Sequence, residues 1–425
     1  MTRQVTRGAL VAVALALAQF IARDASAQCA YDVAIISKPA AWESMSANDM
    51  NAAGVVVGSF GLPGSWNARP FRWDEQGGFV PLPMPPNVYA AMADQISDDG
   101  LIAGRAWLTG ISDDFPQIIY WKEGVATVIP PGSPIHGFEV TVALGSSTLA
   151  GYTQTGNPEL VPFVYQIGGA QPGFVTLPPI LSANHTLVND LTPDGWMCGR
   201  WYDAGFTVAG PYIYGDGALT ILPPIDGVTA LNVRGLTCTH HAVVVGNGPP
   251  SRGLSFTLKS FFWDGARYTP LPVPNGWTWT SGGAINDVEQ IACGIGLATS
   301  NPAIWTAGAA LWQNGETRDL HDLAPLPRTV NMQGCLAIRE NGKILAMAKQ
   351  DFPTWEPFLI VVFSPQAEPP DVTIDCVVDV RDLSFVLDNW GPVGPSTVRR
   401  ADVDGDGTVG AYDLALVLGA WSPPR

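Results

Sequence analysis

Asn51-Ala52-Ala53-Gly54-Val55-Val56-Val57-Gly58 is a turn signal followed by a β-branched apolar run that closes on glycine. The same pattern returns as Ser97-Asp98-Asp99-Gly100-Leu101-Ile102-Ala103-Gly104 and as Thr192-Pro193-Asp194-Gly195-Trp196-Met197-Cys198-Gly199. It returns again, with alanine last, as Arg339-Glu340-Asn341-Gly342-Lys343-Ile344-Leu345-Ala346. Asx-Gly pairs supply the positive-φ positions of tight hairpin turns. The apolar runs have the residue types of strands buried on both faces. Seven runs close at Gly58, Gly104, Gly151, Gly199, Gly246, Gly294 and Ala346. A second strand follows each and ends at Trp73, Trp121, Tyr165, Tyr214, Trp263, Trp312 and Ile360. Leu82-Pro83, Ile129-Pro130 and Leu222-Pro223 then supply an outer strand in which proline is tolerated at a sheet edge.

Both series advance by 44 to 52 residues, which leaves room for about four short strands per unit, the content of a propeller blade. The expected fold is mainly β: a seven-bladed β-propeller over residues 28–364. A β-solenoid is the competing architecture, but its repeats are usually shorter and need not close. Closure has its own signal. The seventh unit stops after Val361-Val362-Phe363, and Tyr31-Asp32-Val33-Ala34-Ile35-Ile36 is a spare N-terminal strand able to complete it. Closure would bring Cys29 near Cys376 as a disulfide. Cys198 and Cys238, and Cys293 and Cys335, repeat an offset of about 40 residues between one unit and the next. That offset suggests two further bridges, although connectivity cannot be deduced from sequence alone.

These units resemble the HAF-repeat proteins, an extracellular bacterial family. Ile285-Asn286-Asp287 and the run Asn51 to Gly58 carry the likeness. Where that family shows His-Ala-Phe, this chain has Arg69-Pro70-Phe71, Val161-Pro162-Phe163 and Glu356-Pro357-Phe358. The resemblance implies a propeller-like fold and no defined activity.

A Pro-rich linker, residues 365–370, precedes a second repeat with a period of 31 residues over 371–425. Asp402-Val403-Asp404-Gly405-Asp406-Gly407-Thr408-Val409-Gly410-Ala411-Tyr412-Asp413 places carboxylates at loop positions 1, 3, 5 and 12 with glycine at 6. Calcium takes six to eight hard oxygens, and this spacing folds them around one centre. Asp402, Asp404, Asp406, the Thr408 carbonyl and Asp413 are the expected ligands. Leu414, Leu416, Val417, Leu418 and Trp421 continue as a helix with an apolar face. In the first copy Thr373 replaces the acid at position 3 and Cys376 the glycine at position 6. Asp371, Asp375, Asp379 and Asp382 therefore form a degenerate loop, with weak or absent calcium binding expected. Two loop-helix units without entering helices resemble the type I dockerin module. That resemblance implies calcium as cofactor and a cohesin-like or other cell-surface protein as partner.

Residues 1–27 read as a secretory signal peptide: Arg3 and Arg7, an apolar run from Gly8 to Ile21, then Ala25-Ser26-Ala27. No other segment has the length of a membrane span, so a secreted protein with no membrane span after cleavage is expected. The net charge is −16. Removing the signal segment makes the chain more acidic still, which argues against a nucleic-acid partner.

No catalytic constellation stands out. There is no Gly-x-Ser-x-Gly elbow and no His-Glu-x-x-His. Asp98, Asp99, Asp190, Asp194 and Asp287 recur at unit turns, which argues for turn chemistry over paired catalytic acids. His240-His241 stands in the fifth turn, where a metal or base role competes with a solvated turn. Trp66, Trp107, Trp196, Trp201, Trp277 and Trp279 could stack on a glycan, though packing is the commoner use. The expected function is a non-enzymatic binding or structural propeller docked at the cell surface through its calcium-stabilised module. The alternative is a carbohydrate-active enzyme or polysaccharide-binding subunit anchored to a scaffold in the same way.

Overall fold

The computed structural model describes residues 29–65, 67–111, 116–129, 136–142, 148–154, 160–167, 174–176, 185–203, 209–249, 257–297, 306–327, 329–350, 358–394 and 398–421. The signal-peptide segment and Trp66 lie outside the described residues. Each unit folds as an antiparallel meander. In the first, Ser44–Met50, Val56–Gly61, Arg69–Asp74 and Gly78–Pro81 pair in chain order. By hydrogen-bonded sheets the propeller has six blades, not the expected seven. The third and fourth units share one eight-stranded sheet, because Leu160 pairs in parallel with His185 across their boundary. The N-terminal strand Tyr31–Ser37 does close the last sheet, pairing antiparallel with Phe358–Pro365 and setting Val33 opposite Phe363. Asn341 Nδ2 donates to the Ala52 carbonyl at 2.7 Å, and the Arg339 guanidinium pairs with Asp49, so the last unit is also tied to the first.

The turns explain the recurring residue types. Asn51 donates its N–H to the Val55 carbonyl at 3.0 Å, and its Oδ1 accepts the Val55 N–H at 2.9 Å. Ser97, Thr192, Thr237 and Asn286 close their turns in the same double way. The fourth position is left-handed: Gly54, Gly100, Gly195 and Gly342 occupy it, with His240 and Glu289 in the fifth and sixth units.

The glycines expected at strand ends stand inside strands instead, which run to Gly61, Leu108 and Tyr202. A β-bulge sets their position. The innermost strands are bulged at Asn48, Asp94 and Asn189, and the residue just before each bulge pairs with Gly58, Gly104 or Gly199. The preceding carbonyl, Ser46 O, Met92 O or Leu187 O, comes within 1.9–2.0 Å of where a Cβ would stand. Only glycine admits that approach. In the seventh unit the register puts Phe363, not Ile360, at the aromatic position: it pairs with Ile344 as Trp73 pairs with Val56.

Among the described residues there are three short α-helices: α1 (Leu320–Leu323), α2 (Val380–Asp388) and α3 (Ala411–Gly419). The two C-terminal copies share one apolar core. Val372, Val378 and Val386 of the first meet Ala401, Val409 and Val417 of the second. Gly391–Pro392 pairs with Thr408–Val409 as a two-stranded sheet across the module. Among the described residues no helix is long and apolar enough to cross a membrane.

Of the expected disulfides, Cys29–Cys376 is formed and spans 347 residues. Cys198, Cys238, Cys293 and Cys335 are free thiols, which corrects the two inter-unit bridges. The shared offset brings each pair into neighbouring units without joining the sulfurs. Cys198 packs in the apolar layer between the fourth and fifth units, whereas Cys238 stands on a turn at the channel mouth. Cys293 lies in the core layer of the fifth and sixth units, whereas the Cys335 thiol donates to the Ala310 carbonyl at 3.8 Å. Burial raises all four thiols, Cys335 to about 12, so they remain protonated and unreactive.

Candidate calcium loop and channel mouth

Position 12 organises the second C-terminal loop. Asp413 is buried in the first turn of α3. Its Oδ1 accepts the Val403 N–H at 2.7 Å and the Asp404 N–H at 3.2 Å, and its Oδ2 accepts the Gly410 N–H at 2.7 Å. Burial alone would raise this carboxyl, but the three donors hold it below the usual carboxylate range. Asp402 braces the loop from its other end, accepting the Asp406 and Gly407 N–H groups at 3.1 and 2.9 Å. Gly405 and Gly407 take left-handed φ of 74° and 87°, which gives the sharp turn. Carboxylate oxygens of Asp402, Asp404 and Asp413 then lie within 4.8 Å of one another. Asp406 stands outside that group, because its Oδ1 is turned back to accept the Thr408 N–H at 2.8 Å. Val409 is fully buried beneath, as a loop-bracing residue at position 8 should be. Hard oxygens converging on one point, with one acid exposed and one anchored, suit a calcium ion.

The first loop differs. Asp371 accepts the Asp375 and Cys376 N–H groups at 3.1 and 2.7 Å, and Asp382 accepts the N–H and hydroxyl of Thr373, both at 3.0 Å. Asp375 is paired with Arg381 at 2.7 Å, and Asp379 caps α2 by accepting the Arg381 N–H at 2.7 Å. Asp371 does lie close to Cys29 and Cys376, but those sulfurs are joined in the disulfide and are not thiolate ligands. Arg381 carried no signal in the loop pattern, because a calcium template assigns no role to position 11.

The second candidate is the mouth of the propeller channel, a cavity of about 450 Å³. Five bulge residues line it, Asp94, Asn189, Arg234, Gly283 and Leu336, so the bulges bring one residue of each of these inner strands to the cavity. Arg399 of the C-terminal module lines the same cavity. The acids here connect neighbouring units. Asp49 accepts the Ile96 N–H at 3.0 Å and Asp190 the Leu236 N–H at 2.9 Å. Asp98 accepts the Ala52 N–H at 2.8 Å, Asp287 that of Cys238 at 2.6 Å, and Glu340 that of Asp287 at 2.7 Å. Burial pushes Asp190 up to about 6; burial and then the neighbouring Asp287 charge raise Glu340 well above its ordinary range.

His240 stacks on Trp196 with centroids 3.7 Å apart and meets Asp194 at 3.1 Å. His241 meets Glu289 at 2.6 Å, a bond that raises its pKa. Both therefore join adjacent turns. The tryptophans pack over glycine backbone: Trp196 on Gly215, Trp201 on Gly210, Trp277 on Gly308 and Trp279 on Gly296. Trp277 also donates to Asp319 at 3.1 Å.

Residues 369–419 match the family described as the dockerin type I domain. No curated protein matches the chain. Among solved structures, the β-propeller domain of the Trilobed protease from Pyrococcus furiosus is similar at 11% identity and a TM-score of 0.51, covering 77% of this chain and 96% of that one. A streptogramin B lyase structure is similar at 12% identity and a TM-score of 0.45, covering 79% and 98%. A prolyl endopeptidase structure is similar at 11% identity and a TM-score of 0.49, covering 81% of this chain and 52% of that one. At these identities the likeness is one of fold alone. The chain combines a β-propeller with a C-terminal dockerin type I domain at residues 369–419.

Proposed function

We propose that this chain is an exported, non-enzymatic binding protein, in which the propeller carries the binding surface and the dockerin domain attaches it to a cohesin-like partner at the cell surface. The observation that carries the reading is the convergence of Asp402, Asp404 and Asp413 oxygens in a segment that matches the dockerin type I domain. Calcium would be held by these three, by Asp406 after rotation of its carboxylate, and by the Thr408 carbonyl. The bound ion would neutralise the loop and fix its geometry against α3. Export is supported by the signal-like segment 1–27, by the HAF-like character of the repeats and by the Cys29–Cys376 bridge, a bond that persists in oxidising compartments. Binding in preference to catalysis is supported by the channel acids: Asp49, Asp98, Asp190, Asp287 and Glu340 are each committed to a backbone N–H of a neighbouring unit, and Asp94 is paired with Arg105 at 2.8 Å.

One observation favours the second reading, a carbohydrate-active enzyme or polysaccharide-binding subunit. Asp190, raised to about 6, lines a cavity large enough for a small ligand. One experiment separates the two. The full chain is tested for capture by immobilised type I cohesins in calcium and in chelator, and in parallel for turnover and retention on a polysaccharide panel. Calcium-dependent capture without turnover is expected. Turnover abolished by Asp190→Asn would replace the binding reading with the enzymatic one.

A further inference from the structure

The first C-terminal loop keeps the backbone shape of a calcium loop without the residues that make that shape easy. Ile374 and Cys376 adopt φ of 55° and 64°. They stand where the second loop has Gly405 and Gly407, at 74° and 87°. A β-branched residue is a rare occupant of the left-handed region, so something other than local preference holds the loop. The propeller supplies part of it. The Ile374 side chain is fully buried in the core layer of the sixth and seventh units. The Thr373 carbonyl accepts from Gln313 at 2.7 Å and the Ile374 carbonyl from Gln290 at 3.2 Å. Cys376, at the position of the turn glycine, is bonded to Cys29.

The charge of the loop is balanced from within the chain. The Asp375 side chain, fully buried, meets the Arg381 guanidinium at 2.7 Å. Arg400 reaches the loop from the other side, donating to the Asp371 carbonyl at 2.9 Å. Tyr412 holds the place of Arg381 in the second copy and is 66% exposed. The second loop therefore has no counterpart to this built-in cation.

We propose that the first loop is a metal-free anchor, in which the Arg381 guanidinium takes the charge-balancing place of a calcium ion while the loop fastens the module to the propeller. Resting on the reading of the second loop as the calcium site, it follows that one half of the module answers to calcium and the other stays seated without it. The face left to a partner is the half that carries the second loop and α3.

Equilibrium dialysis of the full, oxidised chain against calcium alone tests this by ion count. Wild type takes up one ion and Asp404→Ala takes up none. Adding Arg381→Gln to Asp404→Ala opens a site in the first loop, with an affinity of about 10⁻³ M, the weak end of extracellular calcium modules. Adding Arg381→Lys instead, which keeps the cation, gives none. Two ions in wild type, an ion retained by Asp404→Ala, or no uptake after Arg381→Gln would each overturn the proposal. No ion in wild type together with one in the Arg381→Gln chain would overturn the second-loop reading and uphold this one. If Arg381→Gln does not fold, the pair Arg381→Gln/Asp375→Asn removes both charges; it folds and takes up nothing on this account, and its failure to fold overturns it.

Discussion

Replacing Gly104 by alanine tests the bulge that shapes every inner strand it touches. A Cβ at residue 104 would stand 1.9 Å from the Met92 carbonyl oxygen, 2.9 Å from its carbon and 3.1 Å from the Ala93 Cα. All three are backbone, so no rotamer change relieves the overlap. The oxygen must retreat by roughly 1 Å or more, and the strand Val88–Ile96 moves with it. Overpacking of this kind costs about 1–3 kcal/mol. One or two ladder hydrogen bonds weakened by the shift add about 1 kcal/mol each. The expected destabilisation of Gly104→Ala is therefore about 2–5 kcal/mol. Gly294 provides the control, because its Cβ would meet nothing nearer than the Ser281 carbonyl at 3.8 Å. Gly294→Ala should be neutral or stabilising by about 0.4–1 kcal/mol, through the lost freedom of the unfolded chain. Urea unfolding followed by tryptophan fluorescence reads both. Equal midpoints for the two variants, within error, would refute the close-approach argument.

Breaking the buried Arg339–Asp49 pair by Arg339→Met should cost about 3–5 kcal/mol in the same assay, since it strands a carboxylate between the last and first units. Asp190 gives a pH signature. Its folded carboxyl titrates at about 6 against about 3.9 unfolded, so the folded state holds a proton that the unfolded state releases. Wild-type stability should therefore fall as pH rises from about 4 to 6, and the stability of Asp190→Asn relative to wild type should rise by about 2–3 kcal/mol over that window; a pH-independent difference would contradict the burial argument. Cys376→Ser removes the bridge that closes 347 residues, for which loop entropy sets an upper bound of about 6 kcal/mol. Cleavage by added protease in the linker 365–370 should accelerate in Cys376→Ser, and alkylation of denatured, non-reduced wild type should tag the four cysteines 198, 238, 293 and 335.

The turn chemistry was legible in the sequence because five of the turns are closed locally by their own Asn51, Ser97, Thr192, Thr237 or Asn286. The spare strand Tyr31–Ser37 was legible because a sheet edge must be covered. The glycine series was visible while its cause was not: at Gly58, Gly104 and Gly199 it answers a bulge in another strand, and nothing local distinguishes a strand-end glycine from one under a carbonyl. Phe363 was passed over for Ile360 because the seventh unit reaches its strand by a different spacing, which only the register with Ile344 reveals. The cysteine offsets located neighbouring units correctly but could not show that Cys238 stands on a turn or that the sulfurs stay unjoined. The union of two units into one sheet rests on a single bridge pair, Leu160 with His185, which leaves no mark in either unit. In the C-terminal module the Asp spacing identified the loop that gathers Asp402, Asp404 and Asp413. Arg381 was invisible because its role is defined by the cation it resembles.

The central claim is that calcium seats in one loop, the second, of a dockerin domain fastened to a propeller. Isothermal titration of the full chain with calcium measures it most directly. A single site, abolished by Asp404→Ala and unchanged by Asp379→Ala, is the predicted result; no site, or two equivalent sites, would contradict the account.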